Sequence, residues 1–580
     1  MSPLRKLLSY FAPYKRQLVF GISCIFLTNL IKLTSPYVLR QAIDGLAAGV
    51  AYSTMNVYGG LILLIAFGMG IFLFLQRRTL INMSRDIEYD LRNDFYRHLQ
   101  RLPFEFYQTH RTGDLMARAT NDLSAVRMIV GPALMYSMNT IFSMALIVPR
   151  MASTSWRLTA MAFLPMPLVV VATNYFSKRI HDRFQEVQEY FGEVSNRAQE
   201  SLAGVRVIRA YTQEAAEIDS FRKVNLESLR RNKRLIRISG IFHPILQLFI
   251  GLGFIAVLWY GGRLAIRGDI SVGQFVEFNL YLGFLVWPMI ALGWVINIFQ
   301  RGMASMGRMA EIMAVEPAIS DTDEARDVAE IRGEIEFRDL TFYYSGSASP
   351  ALKGIDLRIE AGQTVAFVGA VGSGKSTLMN LVPRLLDAPP GQVLIDGRPI
   401  REVPLKLLRS SIGYVPQETF LFSETVGRNI AFGVEAASLE EIKRAATEAG
   451  IADDIEEFPN GYDTLVGERG ITLSGGQKQR AAIARALIRR PKILILDDAL
   501  SSVDTYTEEK ILGYLRSIMR GRTSLIVSHR VSTVKDADLI IVLEDGRIAE
   551  QGTHDELITR GGLYAELYEK QLLEEELAAS

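Results

Sequence analysis

The sequence predicts an α-helical domain with six membrane spans, followed by an α/β domain built around a phosphate-binding loop. Three observations lead to this fold class. The chain has 580 residues, which is too long for one ordinary hydrophobic core. Its hydrophobic fraction of 49% and mean hydropathy of +0.15 are high for a soluble protein, and the excess lies before about residue 320. In the second half, a glycine-rich turn at 369–377 follows an apolar run and precedes a helical pattern.

The apolar excess is concentrated in six stretches, each long enough to cross the hydrocarbon core of a bilayer as a helix. They cover residues 18–38, 57–75, 128–148, 158–176, 245–266 and 275–299. Nothing comparable follows in the second half, and residues 316–332 are acidic and polar, as in a linker. We therefore predict a transmembrane domain over 1–318, a linker over 319–332 and a soluble phosphate-loop domain over 333–580.

Basic residues beside the spans predict the orientation of the chain. Arg5, Lys6, Lys15 and Arg16 precede the first span, whereas the loop 44–56 has no lysine or arginine. This places the N-terminus in the cytosol, and six spans return the second domain to the same side. We predict a multi-pass protein of the cell (inner) membrane. Four arginines in short outer loops run against the rule, namely Arg150, Arg157, Arg263 and Arg267.

Composition excludes two kinds of feature. The formal net charge is +1, so nothing in the charge balance indicates a nucleic-acid partner. Cys24 is the only cysteine, which rules out an intrachain disulfide, and it lies in an apolar run. We therefore expect no nucleic-acid partner.

The turn at 369–377 reads Gly Ala Val Gly Ser Gly Lys Ser Thr, the pattern of a phosphate-binding loop. Glycine leaves successive backbone N–H groups free to wrap a phosphate chain, and the following helix directs its positive end at the same anion. Lys375 would reach the terminal phosphates, and the Ser376 hydroxyl would bind Mg²⁺. We predict ATP and Mg²⁺ as cofactors. The predicted ATP contacts in this loop are Gly369, Gly372, Ser373, Gly374, Lys375, Ser376 and Thr377.

Two further strands carry candidate site residues. The apolar run 493–496, in which isoleucine and leucine alternate, reads as a buried strand and ends in Asp497 and Asp498. In a phosphate-loop ATPase the first carboxylate holds Mg²⁺, usually through water, and the next residue polarises the attacking water. Tyr344 ends an earlier strand and is predicted to stack on adenine. Tyr343 is its competitor, because alternation sends one of the two side chains inward and the other outward.

Five further segments follow in a fixed order and complete a family pattern. They are 415–418 with Gln417, 464–470, the run Leu Ser Gly Gly Gln at 473–477, 499–504, and 528–530 with His529. With the phosphate loop, these segments make the chain resemble an ATP-binding cassette (ABC) half-transporter of the exporter type over essentially its whole length. The resemblance implies the type I exporter fold and places coupling loops in the long arginine-rich segments 77–127 and 178–237. Thr112 and Asp114 predict the start of a short helix at the tip of the first segment.

The resemblance also implies residue roles and a dimer. Gln417 would contact the metal and sense the membrane domain, and His529 would be the switch histidine. The signature residues Ser474, Gly475, Gly476 and Gln477 open a helix whose N–H groups form a second anion site. In the family that site faces the phosphate loop of the opposite subunit. One chain therefore does not complete an ATP site, and a second ABC half-transporter is the expected partner.

Asp498 departs from the family pattern, because hydrolytically competent cassettes usually carry glutamate there. Aspartate is one methylene shorter and would leave its carboxylate about 1.5 Å from the productive position, enough to cost about a hundredfold in rate. Family members with this aspartate and an intact signature resemble one half of heterodimeric exporters. We therefore expect a slow ATP site here and hydrolysis mainly at the site of a partner that carries the catalytic glutamate. The intact His529 leaves a homodimer open.

The resemblance implies export of amphipathic drugs, lipids or peptides by alternating access, and a module that uses ATP occupancy for gating is the alternative. Polar residues within the spans are the only guide to the cargo path, since they are costly in lipid. Each is more often a helix-packing residue than a cargo ligand. Lys32 and Glu277 are the best two candidates for cargo contact. The full set is Asn29, Lys32, Asn139, Asn174, Glu277, Asn279 and Asn297.

Overall fold

The computed structural model describes residues 2–321, 330–467, 470, 473–499, 513, 518–528 and 530–579. The chain divides into two compact units. One unit contains Met1–His98 and Gly113–Ala314, and the other contains Leu99–Thr112 and Val315–Ser580.

Six helices in the described residues are long and apolar enough to cross a membrane. They are Lys15–Ala47, Tyr52–Leu99, Thr112–Thr154, Trp156–Ala203, Glu214–Arg267 and Val272–Ile312. Each contains one of the six predicted apolar stretches, so the predicted six-span architecture is confirmed. Tyr52–Leu99 and Glu214–Arg267 have 48 and 54 residues. At a rise of 1.5 Å per residue, both extend far beyond a hydrocarbon core of about 30 Å.

Shorter helical segments subdivide or connect the six spans. In chain order the α-helices are α1 (Pro3–Ser9), α2 (Lys15–Ala47), α3 (Tyr52–Leu99), α4 (Phe104–Thr109), α5 (Thr112–Ala117), α6 (Leu123–Met128), α7 (Leu134–Thr154), α8 (Trp156–Phe163), α9 (Met166–Ala203), α10 (Val205–Ala210), α11 (Glu214–Arg267) and α12 (Val272–Ile312). The separate short helix between the second and third spans is α4. The helix predicted from Thr112 begins there, but it continues through π-helical turns at Arg118–Asp122 and Ile129–Ala133 into the third span.

The core of the first unit joins the last four spans. Buried side chains from α7, α8, α11 and α12 meet there, among them Met151, Leu158, Val257 and Phe278. The helix α2 packs along α12 in an antiparallel direction. The carboxylate of Asp44 on α2 accepts from the backbone N–H of Gly273 at 2.9 Å, at the first turn of α12. A Cβ added to Gly273 would lie 2.5 Å from the Arg40 carbonyl oxygen, so glycine permits this close approach.

The second unit contains two sheets. A four-stranded sheet has the order β2-β1-β4-β5 and a six-stranded sheet has the order β10-β9-β3-β8-β7-β6. In the larger sheet β9, β3, β8, β7 and β6 are parallel, and β10 is an antiparallel edge. The strands are β1 (Ile335–Phe342), β2 (Leu352–Ile359), β3 (Thr364–Val368), β4 (Val393–Ile395), β5 (Arg398–Pro399), β6 (Ile412–Val415), β7 (Ile493–Asp497), β8 (Thr523–Val527), β9 (Leu539–Glu544) and β10 (Arg547–Gly552).

The second unit also contains α-helices after Val315, and the first of them directly follows the glycine-rich loop. They are α13 (Lys375–Leu381), α14 (Leu405–Ser410), α15 (Val426–Ala431), α16 (Leu439–Glu448), α17 (Ala452–Glu457), α18 (Gly475–Leu487), α19 (Val531–Val534), α20 (His554–Arg560) and α21 (Leu563–Ala579). Strand β3 is buried along Val365–Val368, and β7 is buried along its whole length. These fully apolar runs are typical of parallel strands covered on both faces. The predicted α/β class of this unit is confirmed.

Candidate active site

The parallel sheet brings the predicted site residues to one edge. Four neighbouring parallel strands, β3, β8, β7 and β6, end there. The glycine-rich loop follows β3, Asp497 and Asp498 close β7, and Gln417 comes two residues after the end of β6. In open α/β sheets, ligands bind outside the carboxyl ends of the strands, and this edge has that geometry.

Three glycines of the loop have backbone conformations that L-residues rarely adopt. Gly369, Gly372 and Gly374 have φ of +148°, +85° and +101°. A Cβ at Gly369 would collide with the carbonyl oxygen of Leu543, and one at Gly374 would lie 2.7 Å from the side chain of Leu352. The glycines are therefore required by the fold of the loop as well as by the approach of a ligand.

The Lys375 side chain folds back into the loop. Its Nζ donates to the carbonyl oxygens of Gly369 and Ala370 at 2.9 and 2.8 Å, and to Ser373 Oγ at 3.3 Å. Burial lowers the pKa of the Lys375 ammonium below the ordinary lysine value, while the charges of Asp497 and Asp498 oppose that shift. A buried cation is thus already placed inside the loop.

Ser376 and Asp497 supply neighbouring oxygen atoms. Ser376 Oγ donates to Asp497 Oδ1 at 3.1 Å, and Asp497 is 2% exposed at the end of β7. Hydroxyl and carboxylate oxygens are ligands that Mg²⁺ prefers. In the described part of the chain, no group of three or more His, Cys, Asp or Glu side chains is placed to hold a metal. A magnesium ion at Ser376 and Asp497 would therefore also need oxygens from phosphate or water.

Asp498 has a left-handed backbone. Its φ is +48°, and its N–H donates to the Val527 carbonyl oxygen of β8 at 2.9 Å. Aspartate adopts this region several-fold more often than most non-glycine residues. Asp498 and Asp497 both line the cavity next to the glycine-rich loop.

The two tyrosines at the end of β1 differ in position. Tyr344 Oη and Thr377 Oγ1 lie 2.9 Å apart in a hydrogen bond, and the Tyr344 ring packs edge-on against Phe342. Tyr343 is 52% exposed. The structure thus places Tyr344, and not Tyr343, at the glycine-rich loop.

Most of the predicted loop and strand-end residues line one cavity of about 310 Å³, whereas Gly369 and Ser373 do not. Sequence reasoning did not select three of its lining residues, Ala351, Val371 and Val527, because small and apolar side chains carry no chemical signal. Their proximity to Tyr344, the loop and β8 along the chain was the only available clue. The lining comprises Tyr344, Ala351, Val371, Gly372, Gly374, Lys375, Ser376, Thr377, Gln417, Asp497, Asp498 and Val527.

The signature residues lie apart from this cavity, at the start of α18. Ser474 Oγ accepts from the N–H of Gln477 at 3.2 Å, and Gln477 Oε1 accepts from the N–H of Ser474 at 3.0 Å. Ser474 and Gly475 are exposed and Gly476 is partly buried. Gln477 Nε2 also donates to Asp454 at 3.0 Å. The signature therefore forms the capped start of a helix, and its first residues are exposed.

Several predicted residues lie outside the described part of the chain. These are His529, residues 468–469 of the segment 464–470, and residues 500–504. Ser528, directly before His529, is buried at the end of β8.

Most described polar residues of the spans have partners within the first unit. Glu277 is 1% exposed and pairs with Arg150 at 2.9 Å and with Arg40 at 3.4 Å. Asn29 Nδ2 donates to Asn139 Oδ1 at 2.9 Å. We therefore assign these groups to helix packing. The pairing with Glu277 also explains why Arg150 runs against the charge rule for outer loops.

Comparison with known proteins identifies the family. The ABC transporter transmembrane region family matches residues 18–289, and the ABC transporter family matches residues 352–501. The chain is 39% identical to the Bacillus subtilis (strain 168) protein named "Probable multidrug resistance ABC transporter ATP-binding/permease protein YheI", covering 99% of this chain and 98% of that protein. It is 35% identical to the ATP-dependent lipid A-core flippase of Syntrophus aciditrophicus (strain SB), covering 100% and 96%.

A solved structure agrees with both matches. A bacterial Atm1-family ABC exporter with ATP bound superimposes with a TM-score of 0.79 at 30% identity, over 96% of this chain and 98% of that one. The phosphate-loop cavity, the six spans and these likenesses together show that the chain belongs to the ABC transporter family, as a half-transporter of the multidrug and lipid exporter type.

Proposed function

We propose that the chain is one subunit of an ATP-driven exporter that moves amphipathic compounds out of the cytosol or the inner leaflet by alternating access. Its nucleotide-binding domain lies in the cytosol, and its partner is a second half-transporter that carries a catalytic glutamate. The single observation that carries this asymmetry is Asp498, which lines the phosphate-loop cavity where competent cassettes have glutamate.

The arrangement of the cavity supports ATP binding by this chain. The glycine-rich loop, Lys375 and Thr377 hold the phosphates, and Tyr344 covers the adenine. The adjacent oxygens of Ser376 and Asp497, with Gln417 on the same cavity wall, hold Mg²⁺. The magnesium ion supplies charge neutralisation of the phosphates when it is bound. Asp498 is too short to position water well, so ATP remains bound for long periods.

The exposed start of α18 supports a role for this chain in the partner's site. Its N–H groups are oriented by the Ser474–Gln477 capping box, and a helix start of this kind binds anions. We infer that Ser474, Gly475, Gly476 and Gln477 contact ATP held by the partner's phosphate loop. The hydrolytic site then consists of the partner's glutamate and this chain's signature.

The test is ATP hydrolysis by the purified chain, alone and together with a glutamate-bearing half-transporter. We expect the pair to hydrolyse ATP about a hundredfold faster than this chain alone. Ser474→Arg in this chain should abolish hydrolysis by the pair, because arginine blocks the anion site facing the partner's ATP. Asp498→Asn should reduce it by less than half.

The opposite pattern favours a homodimeric exporter or flippase. Rapid hydrolysis by this chain alone, abolished by Asp498→Asn, would contradict the asymmetric proposal. Uptake of an amphipathic dye into inside-out vesicles separates export from gating. A gating module responds to non-hydrolysable ATP analogues, whereas an exporter requires hydrolysis.

A further inference from the structure

Lys32 is a cation inside the first span. It lies 17 residues after the start of α2 and 15 residues before its end, within the apolar stretch 18–38. Charged side chains at such depth are costly, and they mark ligand paths or ion pairs. The surroundings of Lys32 decide between these two explanations.

The Lys32 side chain has no hydrogen bond and no ion pair with any residue that the structure describes. Its Nζ instead lies 4.4 Å from the centroid of the Phe284 ring on α12. Both residues are partly exposed. By contrast, Arg40 and Arg150 in the same unit both pair with Glu277.

The register of α2 against α12 keeps the buried carboxylate of Glu277 away from Lys32. Arg40 contacts Glu277, and Tyr281 Oη donates to the Leu33 carbonyl oxygen at 2.8 Å, one residue from Lys32. Arg40 follows Lys32 by eight residues, or about 12 Å along the helix. Arg40 and Arg150 therefore neutralise Glu277 at that distance from Lys32. Glu277 does not compensate the charge of Lys32.

We propose that Lys32 and Phe284 form a recognition site for the anionic head group of an amphipathic cargo. The ammonium binds a carboxylate, sulfonate or phosphate, while Phe284 orients Nζ and offers apolar surface to the adjoining tail. The same charge disfavours cations of equal size. This inference rests on the proposed export function and adds the charge class of the cargo. The anion is supplied by an acidic membrane lipid or by a soluble amphiphile.

The test uses vesicles containing the chain with its partner, and matched fluorescent probes. A dodecyl sulfonate and a dodecyltrimethylammonium with the same fluorophore represent soluble amphiphiles. Labelled phosphatidylglycerol and phosphatidylcholine represent lipids. ATP-dependent translocation is measured for Lys32→Met, Lys32→Arg and Phe284→Leu. Arg157→Gln is the matched control, because Arg157 stacks on Trp156 and lies in neither proposed site.

We expect Lys32→Met to lower translocation of an anionic probe at least tenfold without lowering that of its cationic or zwitterionic counterpart. Lys32→Arg should stay within about twofold of the wild type. Phe284→Leu should cause a severalfold loss for the anion. A loss confined to phosphatidylglycerol identifies a lipid cargo, and a loss confined to the sulfonate identifies a soluble one. If Lys32→Met translocates every anionic probe at the wild-type rate, the proposed site is wrong.

A binding measurement separates this inference from the proposed function. The sulfonate probe is titrated against wild type and Lys32→Met in nanodiscs without ATP. If neither probe class is translocated but Lys32→Met weakens binding tenfold, the export proposal fails and the site stands. If binding is unchanged, Lys32 is not the anion site.

Discussion

Arg150 donates from both Nε and Nη2 to Glu277 Oε1, at 3.1 and 2.9 Å, although the two residues lie 127 positions apart. Arg40 contacts the other carboxylate oxygen at 3.4 Å and also lies 3.6 Å from Asp44. Asp44 in turn accepts from Ser271 Oγ at 2.7 Å at the start of α12. A chain of opposite charges thus joins α2, α7 and α12, and each charge has a partner.

Breaking the Arg150–Glu277 pair should destabilise the membrane domain. Glu277→Gln leaves two arginines without their shared carboxylate, which costs about 3 kcal/mol when a buried pair loses one partner. Thermal unfolding in detergent, followed by size-exclusion chromatography, measures the loss. Arg157→Gln serves as the control, because it removes a cation that stacks on Trp156 and lies outside the Arg150–Glu277 pair.

The double variant Arg150→Gln with Glu277→Gln gives a sharper test. We expect it to be less destabilised than the sum of the single variants, with a coupling of about 1–3 kcal/mol. Additive effects would show that the two side chains act independently. A change in cargo selectivity with no loss of stability would return Glu277 to the cargo path.

Asp498→Glu should accelerate hydrolysis at this chain's own ATP site. The added methylene brings the carboxylate about 1.5 Å closer to the attacking water, and we expect roughly a hundredfold increase in rate. The measurement is ATP turnover by the pair in which the partner's glutamate has been replaced by glutamine. Asp498→Gln is the matched control, because glutamine has the length of glutamate but no carboxylate. No gain with glutamate would show that another residue limits the site.

Tyr344→Ala should weaken ATP binding about tenfold, because stacking of an aromatic ring contributes about 1–1.5 kcal/mol. Tyr344→Phe keeps the ring and should stay close to the wild type, losing only the hydrogen bond to Thr377. Tyr343→Ala is the control, since Tyr343 is 52% exposed and does not line the cavity. Titration with a fluorescent ATP analogue measures all three. Equal losses for Tyr343→Ala and Tyr344→Ala would contradict the assignment.

ATP binding should weaken as pH rises toward the alkaline range. Burial lowers the pKa of Lys375 in the free protein, whereas bound phosphate favours the ammonium and raises it. Proton loss therefore begins below the ordinary lysine pKa of 10.5, and affinity falls between the pKa of the free protein and that of the complex. Binding titrations between about pH 7 and about pH 10 measure this. Lys375→Arg should remove the pH dependence, since arginine stays protonated.

The candidate ATP site could be located from sequence, but its geometry could not. The glycine spacing and the two aspartates after an apolar run identify the loop and the strand end. The sequence did not decide whether Tyr343 or Tyr344 faces the loop. Side chains alternate between the two faces of a strand, but the alternation does not show which face is inward. Gln417 and Asp497 are 80 positions apart in the chain, and only the parallel pairing of β6 with β7 explains why they line one cavity.

The sequence by itself determined the six spans, the phosphate-loop domain and the family, because apolar length, glycine spacing and short motifs are local properties of the chain. Tertiary structure alone decided which polar residues of the spans have a hydrogen-bond or ion-pair partner. Glu277 and Lys32 look alike in sequence, as single charges in apolar stretches. The packing of α2, α7 and α12 surrounds Glu277 with arginines but leaves Lys32 against an aromatic ring. A long-range partner neutralises one charge, and the other remains available to a ligand.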